Sequence, residues 1–284
     1  METLSGDQHK IYLFGPTAAC QGVLKALYLT MQFLPVSSLQ SRLFWVGITL
    51  LIGLCITATT SCSRVADEPM PISDSIRVGL VAHYPMGVSP RDLTGNNPDM
   101  EVINASVRLS GRANHFNEYA TFFAGNASSF ARVYLSNARA VKGELAISFW
   151  AIESGPGTFS PRVFEFWPGN YGVGFFWFNW YQGKIKWAGT DFAIQSDTIF
   201  QRRTWYHFVL MQDVGAIQLY CNGKRIARVT TNGNIPPAAI QLASYAELGR
   251  LAQRPADAFE GGIMDFRVYN RVLSQREIDY IYTQ

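Results

Sequence analysis

The chain has 284 residues, of which 48% are hydrophobic, 16% charged and 14% aromatic, with a formal net charge of +3. This length admits one large domain or two small ones, and an all-β sandwich of about 200 residues commonly stands as one. The charge is small and dispersed, and no basic cluster exceeds the pairs Arg202-Arg203 and Lys224-Arg225, which excludes nucleic acid as a partner.

A charged share below the roughly 25% of ordinary soluble domains, with plentiful aromatics, suits pleated and half-buried surfaces better than surface helices. The cysteines Cys20, Cys55, Cys62 and Cys221 share no metal-ligand spacing, and only Cys221 lies in the part expected to fold. A disulfide framework and a zinc site are therefore not expected.

From Leu43 to Ala58 the chain is apolar and uncharged, with Arg42 before it and Thr59, Thr60 and Ser61 after it. About sixteen residues fall short of the roughly twenty that span a bilayer core. A positive flank, a short apolar run and small residues at its end are the parts of a secretory signal. The sequence Thr59-Thr-Ser-Cys62 resembles the lipobox of bacterial lipoproteins, which implies lipidation at Cys62 and a membrane-anchored, extracytoplasmic product at the outer membrane or cell surface. Thr59 departs from the usual leucine, and the leader is long if translation begins at Met1 and not at Met31. An uncleaved membrane anchor is the alternative. Residues 1–61 are thus read as leader, and 62–76, polar with Pro69 and Pro71, as a tether.

Residues 77–284 change character: short runs rich in Val, Ile, Phe, Tyr and Trp alternate with Gly, Asn and Pro. Strands are predicted at 78–84, 118–123, 130–135, 145–151, 162–166, 173–179, 184–187, 205–212, 216–220, 225–230, 239–243 and 262–269. In the run 205–211, Trp205, His207, Val209 and Met211 point one way, and Tyr206, Phe208 and Leu210 the other. Asn222-Gly223 is the strongest hairpin signal, because both turn residues need φ > 0. Ser274 and Glu277 form a capping box that opens a short C-terminal helix. Strands at this spacing without crossover helices argue for a two-sheet antiparallel β-sandwich.

Several blocks resemble, in family order, the laminin-G-like, concanavalin A-like lectin/glucanase superfamily. They are Gly79-Leu-Val-Ala-His-Tyr-Pro, Asp92-Leu-Thr-Gly-Asn-Asn-Pro-Asp, Glu144-Leu-Ala-Ile-Ser-Phe-Trp-Ala, Thr204-Trp-Tyr-His-Phe-Val, Ile217-Gln-Leu-Tyr-Cys-Asn-Gly-Lys and the stretch from Phe259 to Ser274. The resemblance implies a concanavalin A-like jelly roll over roughly 78–282. Many members hold a structural calcium, an ion that needs six to eight oxygen ligands. Asp92 remains in the first loop, but Ala124 and Met264 stand where the family offers carboxylates, and Asp265 should face away from position 264. No cofactor is therefore expected, and Asp92 and Asp265 are the residues left to hold calcium.

Some members hydrolyse glycosides, with two carboxyls about 5–5.5 Å apart in retaining enzymes. The Glu-x-Asp pair Glu277 and Asp279 falls on the predicted helix, where the two acids sit about 200° apart, and Glu165 has no acid at i+2. His83 and His207 read as structural, and Cys221 as a small apolar residue. The density of rings between 163 and 187 is the unusual feature. Trp167, Tyr171, Trp177, Trp180 and Tyr181 are the candidate ligand-binding residues, since flat rings stack on sugar faces while Trp and Tyr add a polar handle. The expected function is a non-catalytic, extracytoplasmic module that binds carbohydrate at a cell surface. A structural or adhesive module recognising a surface protein is the alternative, and a glycoside hydrolase a distant third. Asn104-Ala-Ser106 and Asn126-Ala-Ser128 match glycosylation sequons, which carry little meaning in a bacterial product.

Overall fold

Alternating apolar runs can bury a face only by pairing and stacking, and the described residues do both. A computed structural model describes residues 70–284 apart from 114–116, 137–140, 142, 156–159, 167–175, 190–191, 231–242 and 252–256. The apolar run 43–58, Cys62, Trp167 and Tyr171 lie outside the described residues. No helix among the described residues is long and apolar enough to cross a membrane.

The strands are β1 (Leu80–Tyr84), β2 (Glu101–Ile103), β3 (Ser106–Leu109), β4 (Tyr119–Ala124), β5 (Phe130–Tyr134), β6 (Leu145–Glu153), β7 (Arg162–Phe166) and β8 (Phe176–Tyr181). They continue with β9 (Lys184–Gly189), β10 (Ala193–Gln195), β11 (Tyr206–Gln212), β12 (Ala216–Cys221), β13 (Lys224–Thr230), β14 (Tyr245–Leu248) and β15 (Glu260–Tyr269). An eight-stranded sheet runs β13-β12-β11-β6-β15-β4-β3 with β1 also on β15, and a seven-stranded sheet runs β10-β9-β8-β7-β14-β5-β2. The paired strands are antiparallel, giving the predicted β-sandwich jelly roll.

Aromatic rings join the two sheets. Phe149 of β6 meets Phe164 of β7 at 5.3 Å and Phe178 of β8 at 5.1 Å, both edge-on. On its own sheet it lies beside Phe208 of β11 and Phe266 of β15. Edge-to-face pairs at these distances add about 0.5–1.5 kcal/mol each beyond burial.

The outer face of the eight-stranded sheet is closed by a helix, α2 (Gln275–Thr283), with the predicted capping box at Ser274. Its Ile278 and Ile281 pack on Ala146, Val209, Met211 and Tyr220. His207 lies on this face, hydrogen-bonded to Ser148 and stacked beside Tyr282. Burial pushes its pKa down to about 3, so the ring is neutral at physiological pH, in line with a structural role. A single helical turn, α1 (Ile72–Ser75), sits within the segment read as a tether. Arg271 donates to the Ser75 carbonyl at 2.8 Å, and the Ser75 hydroxyl donates to Glu277, so the end of the tether is part of the fold.

Most predicted strands form within a few residues of their expected limits. Sequence reading misses β2, β3 and β10, which are short and bury few side chains. It also misses β14, placing a strand at 239–243, mostly outside the described residues. Phe149→Ala is expected to lower stability by about 3–5 kcal/mol through transfer and cavity terms. Urea denaturation checks this as a lower midpoint at unchanged slope.

Candidate functional site

The outward face of the seven-stranded sheet collects the polar and aromatic side chains that the core rejects. Register is set by turns. The β8–β9 hairpin closes on Gln182 and Gly183, with φ of 49° and 76°, the mirror-image turn that suits twisted strands. This places Tyr181 opposite Lys184, Asn179 opposite Lys186 and Trp177 opposite Ala188, while Phe178 and Trp180 face Trp187 and Ile185 on the inward side. A register shift between Arg162 and Phe164 takes Arg162 out of the β7 alternation. Its guanidinium lies 4.8 Å from the centre of the Trp177 ring.

Two cross-strand rows follow. One runs Gln195, Lys186, Asn179, Arg162. The other runs Ala193, Ala188, Trp177, Glu165, Glu247, Arg132, Glu101, from one edge of the sheet to the other. On β9 and β10 the second row carries only methyl groups beside Trp177, which is half-buried, as is Tyr181. Asn179 is 3% exposed; its amide donates to Ser160, and its Oδ1 has no hydrogen-bond partner among the described residues. A buried amide left half-satisfied is uncommon in a finished interior.

The other half of the face is a charge lattice. Glu247, 4% exposed, accepts from Arg132 Nη2 and Arg250 Nη2 on Oε1 and from Arg250 Nε on Oε2, each at 2.9 Å. Arg132 also reaches Glu101 at 3.3 Å. Arg250 lies 3.3 Å over Phe130, and Arg132 4.5 Å over Tyr245. Glu247 and Glu165 face each other directly across β14 and β7. Burial alone would raise the Glu247 pKa, but the hydrogen bonds from Arg250 and Arg132 outweigh it and hold the carboxyl below its usual range. A general acid for glycoside cleavage needs the opposite displacement. Glu247 is better suited to fixing a surface than to moving a proton.

Among the predicted ligand residues, Trp177 and Tyr181 lie on this face. Trp180 does not. It is 0% exposed and packs on Phe200, Tyr206 and Phe208 inside the sandwich, so its assignment to a binding face is corrected. Rings on both faces of β8 hide the phase of alternation in the sequence, and the pairing of Trp180 with Ile185 decides it.

The first-loop carboxylate Asp92 accepts from the backbone N–H groups of His83, Thr94, Asn96 and Asn97 and from the side chains of Thr94 and Asn97. Burial would raise its pKa, but these donors lower it. Asp265 Oδ1 takes His83 Nε2 at 2.7 Å and Arg267 Nε at 2.9 Å. Against the effect of burial, the Arg267 charge and the His83 bond hold Asp265 well below the usual carboxylate range. The oxygens a calcium ion would need are engaged by N–H and O–H donors, with a guanidinium beside one of them, so the residues do not fit that metal. No group of three or more His, Cys, Asp or Glu among the described residues is arranged to hold a metal ion.

A cleft of about 350 Å³ opens on the other sheet, lined by Val88, Arg112, Tyr119, Trp150, Asp265 and Arg267. Trp150 is buried, and its ring carries both Arg112 at 4.1 Å and Tyr282 in a stack, so it is covered more fully than the half-buried Trp177.

Residues 125–279 match the family described as the concanavalin A-like lectin/glucanases superfamily. The chain belongs to that superfamily. No curated protein matches it in sequence. Its solved structural neighbours include the binding domain of Paraclostridial Mosquitocidal Protein 1, at 17% identity and a TM-score of 0.58, covering 75% of this chain and 52% of that one. The botulinum neurotoxin serotype D ligand binding domain, solved with N-acetylneuraminic acid, has the same values. Domain 4 of AbnA, an extracellular arabinanase from Geobacillus stearothermophilus solved with arabinotriose, shares 19% identity at a TM-score of 0.53. That match covers 72% of this chain and 98% of the arabinanase domain. The chain spans about half the length of the toxin binding domains. At these identities the likeness is one of fold.

Proposed function

We propose that this concanavalin A-like domain is a non-catalytic carbohydrate-binding module whose binding face is the outward side of the seven-stranded sheet. The observation that carries the reading is the half-buried Trp177 ring on the outward face, with Ala188 beside it on β9, Ala193 beyond it on β10 and the Arg162 guanidinium 4.8 Å from its centre. A flat ring offers a stacking surface for the C–H face of a sugar, and its indole N–H adds a polar handle. Two fold neighbours were solved with a saccharide, arabinotriose in one and N-acetylneuraminic acid in the other, which supports the same class of ligand here. The Glu247 carboxylate, held ionised between two arginines, favours binding over hydrolysis.

Trp177→Ala is expected to weaken binding to arabino-oligosaccharides or sialyllactose by about tenfold or more, a loss of ~1.4 kcal/mol, without unfolding the domain. Calorimetric titration checks it. Trp180→Ala is instead expected to cost about 3–5 kcal/mol of stability as a core deletion. If Trp177→Ala binds glycan as the parent protein does, this face is the wrong one. If the parent protein binds none across a broad glycan array, recognition of a surface protein becomes the better reading.

The same reading places the domain outside the cytoplasm, held to a membrane through a lipid on Cys62. The apolar run from Leu43 to Ala58 followed by Thr59-Thr-Ser-Cys62 supports it. Cys62→Ser is expected to move the protein from the membrane to the soluble fraction. Unchanged fractionation, with no lipid on Cys62 by mass spectrometry, would leave an uncleaved anchor.

A further inference from the structure

The charges on the proposed face are unevenly compensated, and the imbalance lies beside Trp177. At the β5–β14 end the acids and guanidinium groups neutralise one another: Arg132 and Arg250 share Glu247, and Arg132 also pairs with Glu101. At the β8–β9 end the cross-strand partners of Tyr181 and Asn179 are Lys184 and Lys186. Neither lysine enters an ion pair among the described residues. Both are partly buried on the face, as expected where an apolar stem lies along the sheet and the charged head reaches water. Lys186 stands in the row Gln195, Lys186, Asn179, Arg162, next to the buried amide whose Oδ1 has no partner.

We infer that the saccharide bound on this face carries a negative charge, and that Lys184 and Lys186 select for it. The inference rests on the carbohydrate-binding reading and adds the substrate class. A sugar ring stacked on Trp177 has Asn179 and Lys186 one row away and Tyr181 and Lys184 beyond. Successive rows on one side of a strand are about 7 Å apart, roughly the breadth of one to two sugar rings. An exocyclic carboxylate or sulfate on that ring or its neighbour thus falls within reach of an ammonium group. Glu165 is the cross-strand partner of Trp177 on β7, the side of β8 away from β9 and its lysines.

The inference is tested on the full chain with matched acidic and neutral probes: oligogalacturonate against its methyl ester, sialyllactose against lactose, and dextran sulfate against dextran. At low ionic strength the acidic member of at least one pair is expected to bind about tenfold tighter, and the gap should narrow as salt screens it. The arm that shows the gap separates carboxylate from sulfate recognition. The double variant Lys184→Gln/Lys186→Gln should close the gap. Equal affinity for both members, or a gap that survives the double substitution, overturns the charge selection while leaving glycan binding standing. Failure of all probes to bind would overturn both. Circular dichroism and thermal melting of the variant distinguish a lost charge from a lost fold.

Discussion

The contact of Phe149 with Phe164 and Phe178 is the interaction on which the rest of the domain depends. It is where the inner face of one sheet meets the inner face of the other, ring edge to ring face. Once Phe178 is committed to that contact, the pleat sends Trp180 inward with it and turns Trp177, Asn179 and Tyr181 outward. The proposed binding face is therefore a consequence of the core. An inward shift of one residue in β8 would bury the platform and expose the core rings, which makes register the quantity that sequence must protect.

Two turns and one irregularity protect it. Gln182-Gly183 fixes β8 against β9, and Asn222-Gly223 does the same for β12 against β13 with φ values of 48° and 78°. The shift at Arg162 lets a cation join the outward face without disturbing Phe164 or Phe166. Elsewhere, N–H and O–H donors of the chain satisfy the acids of the first loop and β15. His83 joins the first loop to β15 by giving its backbone N–H to Asp92 and a ring nitrogen to Asp265, and Arg267 completes the cluster. Asp92 and Asp265 are thus held within an internal hydrogen-bond network.

The sandwich was legible because ring-rich strands such as 145–151, 205–212 and 262–269 alternate clearly and are closed by strong turn residues. β2, β3 and β10 were not, since three or four largely exposed residues leave no periodicity to read. The site was legible only in part. Trp177 and Tyr181 stand out as rings in a dense aromatic stretch, but so does Trp180, and local sequence cannot say which phase faces the core. Arg132, Glu165 and Glu247 are far apart along the chain and become neighbours through cross-strand pairing alone. Lys184 and Lys186 carry no local signal of their own; the hairpin register sets them opposite Tyr181 and Asn179.

The central claim is that ligand meets the outward face of β8 and not the cleft around Trp150. An NMR titration that follows the tryptophan indole signals while sialyllactose or arabinotriose is added tests it most directly, with Trp177→Phe used to assign the key resonance. The account predicts that the Trp177 indole shifts most and that Trp180, Trp187 and Trp150 stay nearly still. Shifts concentrated on Trp150 and Trp205, with Trp177 unmoved, would contradict it.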